Sequence, residues 1–134
     1  MLKEFKKNED KRGSLIALES QNEIPFQIKR VFYIYDNKMN LSRGQHAHFK
    51  TKQLLIALKG SCSVELDNGK DKTVYNLETP NIGLLQNQLI WGNIYSFTKD
   101  CILLVLADQK YDKSDYITDY NEFIKVKSEH DESI

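Results

Sequence analysis

Two histidines one residue apart, His46 and His48 in the run Arg43-Gly44-Gln45-His46-Ala47-His48, are the side chains of this sequence best suited to chemistry. The run reads as extended. In a strand, residues i and i+2 leave the same face, which sets the two Cβ atoms roughly 7 Å apart with their imidazoles side by side. Imidazole carries protons near neutral pH and is also the commonest nitrogen ligand for metals. The pair therefore points to proton transfer or to metal chemistry, and what else shares its face decides between them.

The elements that must present that face are strands. Short β-rich runs recur between turn signals at 15–19, 27–35, 53–58, 61–66, 73–77, 82–85, 90–97 and 101–107. Lys59-Gly60-Ser61, Asp67-Asn68-Gly69-Lys70 and Thr98-Lys99-Asp100 supply short connections between them. So many short strands in one small domain must close a barrel or stack as two sheets, because a single open sheet would leave an apolar face wet. The predicted fold is all-β, one domain over 1–134 built as a jelly-roll β-barrel. From Asp115 to Ile124 the aromatic and aliphatic residues fall near helical spacing, which predicts one or two short C-terminal helices. The charged stretch 125–134 lacks apolar periodicity and is predicted to be a frayed tail, with His130 an exposed bystander.

At 134 residues the chain can bury about two thirds of its unfolded surface around one core. Lysine plus arginine (19) balances aspartate plus glutamate (19), which removes bulk electrostatic attraction to nucleic acid or to an anionic membrane. No apolar stretch approaches the roughly 20 residues of a membrane span, and the start Met1-Leu2-Lys3-Glu4-Phe5-Lys6-Lys7 lacks the apolar core of a signal peptide. These readings predict a cytoplasmic protein with neither nucleic-acid nor membrane partners. Cys62 and Cys101 lie in strand-like runs outside any C-x-x-C pair, so both are expected as reduced, buried thiols.

The spacing around the histidines resembles that of the cupins, a jelly-roll barrel family whose first motif runs His-x-His, four residues, Glu, six residues, Gly. Here the same frame reads His46, His48, Gln53, Gly60, so the acid is replaced by an amide. The position of the fourth cupin ligand, a histidine, falls on Gly92, just after Trp91. Two imidazoles without a carboxylate hold a divalent ion weakly, so neither metal nor cofactor is expected and proton transfer becomes the better reading.

A wider resemblance extends from about Lys11 to Phe123. The runs Arg12-Gly13-Ser14-Leu15, Pro25-Phe26-Gln27-Ile28-Lys29-Arg30-Val31-Phe32-Tyr33-Ile34-Tyr35, the histidine run and Tyr111-Asp112-Lys113-Ser114-Asp115-Tyr116-Ile117 together resemble the cupin-fold nucleotide-sugar 3,4-ketoisomerases. The resemblance implies a homodimer with shared strands. It implies an isomerase acting on dTDP-4-keto-6-deoxyglucose, on the route to 3-amino-3,6-dideoxyhexoses of surface polysaccharide. Carried over, the family's histidine pair falls on His46 and His48, its active-site tyrosine on Tyr33 and an arginine near the sugar on Arg12. The positions of Arg12 and Gly92 bear on which epimer of the 3-keto product forms; Arg12 implies the galacto outcome, and Gly92 departs from the histidine or arginine familiar there.

Moving a carbonyl from carbon 4 to carbon 3 is proton transfer throughout, and a near-neutral imidazole pair supplies base and acid. The expected division gives His48 the carbon proton and His46 the oxygen protons, with Tyr33 donating to the enolate. Arg12, Arg30, Arg43 and Lys50 are candidates for the two phosphates, arginine being favoured by its planar fork. Trp91, Tyr35 and Phe32 are candidates to stack on thymine, and Gln53 to hold a sugar hydroxyl or the imidazole of a histidine. The competing readings are a non-catalytic sugar-nucleotide-binding cupin, a 3,5-epimerase on the same substrate and a metal dioxygenase.

Overall fold

The computed structural model describes residues 1–38 and 41–133, and it is a sandwich of two antiparallel five-stranded sheets with one C-terminal helix. In chain order the strands are β1 (Leu2–Glu4), β2 (Asn8–Asp10), β3 (Gly13–Leu15), β4 (Arg30–Ile34), β5 (Arg43–His48) and β6 (Gln53–Lys59). They continue with β7 (Cys62–Asp67), β8 (Lys72–Leu77), β9 (Ile82–Gln86), β10 (Trp91–Tyr95), β11 (Ile102–Ala107) and β12 (Tyr116–Ile117), and the helix is α1 (Tyr120–Ser133). One sheet runs β1-β9-β6-β11-β4 and the other β12-β5-β10-β7-β8, while β2 and β3 form a separate hairpin. The predicted all-β jelly roll is the fold observed.

The core between the sheets follows from strand parity. Leu55 and Ala57 of β6 face inward with Val64, Leu77, Leu84, Leu103 and Val105. Their neighbours Leu54, Ile56 and Leu106 face the opposite side, where Phe5, Ile24 and Phe26 of the N-terminal region cover them. The central strands β6 and β11 are therefore buried on both faces, which is why they read as nearly continuous apolar runs rather than alternating ones. Removing one such leucine side chain costs about 2–5 kcal/mol. Between β6 and β7, Gly60 takes φ +64°, and a Cβ there would sit 2.8 Å from Cys101 Cα, so the connection demands glycine.

Three expectations are corrected. Residues 16–19 are not strand: the strand ends at Leu15, and Ile16 and Leu18 instead pack as part of the loop that covers the outer sheet face. Tyr116–Ile117 is a short strand paired with His48 and Ala47 rather than part of a helix. The stretch predicted to fray is helical through Ser133, with the last residue, Ile134, outside the described residues. That helix is held because Phe123, Ile124 and Val126 pack with Trp91, Ala47 and Ile117 on the outer face of the second sheet. The Tyr120 hydroxyl donates to buried Asp67 at 2.6 Å, and Lys127 pairs with Asp131 at 3.2 Å.

Candidate active site

A β-bulge aims the two histidines. On β10, Gly92 and Asn93 are consecutive, yet their partners on β5 are His46 and Gly44, so Gln45 is an extra residue in the ladder. Gln45 and Gly44 both take positive φ, 55° and 88°. The extra residue resets the alternation. Arg43, opposite inward-facing Ile94, and His46, opposite Gly92, would face opposite sides of a regular strand; with the bulge both line the space between the sheets. A Cβ on Gly44 would lie 3.0 Å from the Gly92 carbonyl oxygen, so the close approach of β5 to β10 also requires glycine.

The imidazoles of His46 and His48 meet edge to face, 5.0 Å between centroids, and Tyr116 packs on both at 4.9 and 4.5 Å. His46 Nδ1 lies 3.0 Å from the Gly44 carbonyl oxygen. A carbonyl only accepts, so Nδ1 carries the proton and Nε2 of neutral His46 keeps its lone pair. Burial lowers the pKa of His46 below its ordinary value; the Gly44 hydrogen bond opposes this and the Arg30 charge adds to it. His48 is pushed down to about 4, first by burial and then by His46, against the pull of the Asp115 carboxylate. Asp115 is itself buried and accepts from the Lys50 amide at 2.9 Å and from the Thr51 hydroxyl. Both imidazoles are neutral at physiological pH and so able to take up a proton.

His46 opens onto a cavity of about 150 Å³ between the sheets, lined also by Phe32, Ile34, Arg43, Gln53, Gln86, Gly92 and Tyr116. His48 is only 2% exposed, and its Nε2 has no hydrogen-bond partner among the described residues. The cavity thus places a neutral imidazole with an available lone pair, a phenol, two amides and a guanidinium around one small volume. Such a set can move protons on a polar ligand.

The FdtA family model, described as WxcM-like, C-terminal, matches residues 1–128. The chain belongs to the FdtA family. It is 46% identical over 121 residues to a TDP-4-oxo-6-deoxy-alpha-D-glucose-3,4-oxoisomerase of Aneurinibacillus thermoaerophilus, covering 90% of this chain and 87% of that one. A 3,4-ketoisomerase from Helicobacter canadensis superposes with a TM-score of 0.93 at 43% identity over 96% of both chains. QdtA, a sugar 3,4-ketoisomerase from Thermoanaerobacterium thermosaccharolyticum solved with TDP, superposes at 0.94 with 38% identity, over 97% of this chain and 95% of its own.

Within this FdtA-family chain the structure brings together part of the site predicted from sequence. His46, Arg43, Gln53, Gly92 and Phe32 line the cavity. Arg30 lies close by, its guanidinium 5.4 Å from the Phe32 ring centre and 5.8 Å from that of Tyr111, with Nε buried and unpartnered among the described residues. Lys50 lines a separate groove with Lys29 and Lys110. Tyr33 is corrected: it alternates with the inward residues Phe32 and Ile34, so its ring faces outward and is 63% exposed. Tyr35 shares that outward face. Trp91 is corrected for the same reason, since the neighbour of inward-facing Gly92 must point out; it packs on Tyr120 and Phe123 beneath α1. Arg12 does not line this chain's cavity: it pairs with Asp10 at 2.6 Å on the exposed β2–β3 hairpin. Of the two histidines it is His46 that lines the cavity, while His48 lies behind it.

Tyr116, Gln86 and Asp115 were not singled out by sequence reasoning. Tyr116 and Asp115 sit in a segment read as helical, and the pairing of Tyr116 with His48 exists only once β12 docks on β5. Gln86 carried a readable signal: a polar residue at the same parity as core residue Leu84. Among the described residues no group of three or more His, Cys, Asp or Glu is placed to hold a metal ion.

Proposed function

We propose that this chain is a TDP-sugar 3,4-ketoisomerase that moves the carbonyl of TDP-4-keto-6-deoxyglucose from carbon 4 to carbon 3. The carrying observation is His46: neutral, fixed in one tautomer by Gly44, with Nε2 available in a cavity of about 150 Å³. Its relatives' names, at 46% and 43% identity, supply the substrate class and the reaction.

His46 Nε2 removes the proton on carbon 3. The C–H electrons form a double bond to carbon 4, and the carbonyl oxygen there becomes an enolate. The hydroxyl proton on oxygen 3 is passed to the oxygen at carbon 4, and a proton is delivered to carbon 4 as the carbonyl forms at carbon 3. Protons balance, and nothing is oxidised or reduced overall. General acid–base groups of this kind each contribute about 10² to 10⁴ in rate. His48 packs edge to face on His46 and orients its ring, and Tyr116, which lines the cavity, takes the hydrogen-bonding role that sequence reasoning gave to Tyr33. Arg30 and Arg43 meet the diphosphate, and Gln53 a sugar hydroxyl. A ketone at carbon 3 is what an aminotransferase needs, which fits a place ahead of 3-amino sugar synthesis for surface polysaccharide.

The active form is a homodimer. Val31 and Tyr33 on β4, the end strand of its sheet, and Tyr35 just beyond it are 55%, 63% and 58% exposed, and all six strand residues of the β2–β3 hairpin are exposed. The buried free thiols of Cys62 and Cys101 fit a cytoplasmic location, and among the described residues no helix is long and apolar enough to cross a membrane.

The test is turnover of TDP-4-keto-6-deoxyglucose in heavy water, read by nuclear magnetic resonance. A 3-keto product with deuterium at carbon 4 supports the reading, whereas an unmoved carbonyl with inversion at carbons 3 and 5 would make the protein an epimerase. The His46→Asn variant is expected to lose at least 10²-fold in kcat while still binding TDP.

A further inference from the structure

We infer that Gln86 is a further substrate-binding residue, whose side-chain amide holds the oxygens of the keto sugar opposite His46 in space that Gly92 leaves open. The inference rests on the ketoisomerase reading and adds a residue to it. Gln86 ends β9 two residues beyond Leu84, at an inward position where the surrounding core favours hydrocarbon; it is an amide instead, and 7% exposed. Its Nε2 donates to the Ile90 carbonyl at 3.1 Å. That uses one N–H and leaves the second N–H and the carbonyl oxygen to serve a ligand in the cavity the side chain lines.

The position of the amide follows from the glycine. A Cβ on residue 92 would stand 2.7 Å from Gln86 Nε2 and 3.2 Å from Oε1, so the amide fills the volume that any side chain at 92 would take. Gly92 is the ladder partner of His46, which puts that volume across from the base. Gln53 is the ladder partner of Gln86, so two cross-strand amides share the cavity wall. In the enediolate, negative charge spreads over the oxygens of carbons 3 and 4; the Gln86 N–H donates to one of them and its carbonyl accepts a sugar hydroxyl.

The test compares Gln86→Met, which keeps length and removes both polar functions, with Gly92→Ala, whose new methyl has the flexible end of Gln86 as its nearest neighbour. Thermal unfolding and TDP binding report on folding. With TDP-4-keto-6-deoxyglucose, Gln86→Met is expected to lower kcat about 10²-fold, with TDP affinity and the acid limb of the pH–rate profile unchanged. Gly92→Ala is expected to act by the same route, so adding it to Gln86→Met lowers kcat less than about threefold further. Wild-type kcat in Gln86→Met, a loss of thermal stability alone, or multiplying losses in the double variant overturns the assignment of Gln86 while leaving the ketoisomerase reading intact. A wild-type protein that forms no 3-keto product overturns both.

Discussion

His46 and His48 differ by two positions in sequence and by much more in environment. His46 opens to the cavity with its Nδ1 proton committed to Gly44, whereas His48 is enclosed by His46, Tyr116 and the Asp115 side. An unfolded histidine titrates near 6.5, and His48 in the folded chain near 4. Below pH 6.5 the unfolded chain takes up a proton that the folded chain refuses, so stability is complete above that pH and falls as pH drops toward 4. Urea unfolding is expected to show a loss of about 2 kcal/mol between pH 7 and pH 5 from this group. The loss should shrink in His48→Asn; an unchanged slope would mean that the imidazole is not held neutral. At this scale the histidine pair was legible from i, i+2 spacing alone. The tyrosine was not: Tyr33 and Tyr116 are equivalent as residue types, and only parity on β4 and the docking of β12 separate them.

Among the elements, β5 carries the decisive irregularity. Its bulge at Gln45 turns Arg43, His46 and His48 onto one face, and Gly44 sustains it at φ +88° against the Gly92 carbonyl. Gly44→Ala forces a Cβ into that contact in a conformation that L side chains rarely adopt, at about 1–3 kcal/mol. The expected outcome is a lower melting temperature together with a disproportionate loss of kcat, as the His46 ring is re-aimed; equal kcat per folded molecule would show the bulge to be incidental to the site. The regular strands were legible because β6, β7, β8, β10 and β11 are bounded by turn residues and carry apolar runs. α1 was not legible beyond its first turns, since Ile124 and Val126 gain a partner only when Trp91 and Ile117 present an apolar surface from elsewhere in the chain.

For the whole molecule, the exposed aromatic face of β4 is where the homodimer reading is tested. Tyr33→Asp places a charge on that face, remote from the cavity in parity, and is expected to shift sedimentation toward the monomer. A variant that sediments as the wild type would remove β4 from the interface. The all-β architecture and the paired imidazoles are readable along the chain, because periodicity and residue type are local properties; that Gln53 and Gly92 stand at two cupin ligand positions is what the family resemblance implies. Tertiary structure alone decided which residues meet. A single extra residue at Gln45 resets strand parity, β12 brings Tyr116 to the histidines, and Gly92 vacates the volume that Gln86 fills. Such outcomes depend on register between strands far apart in sequence, which no local pattern encodes.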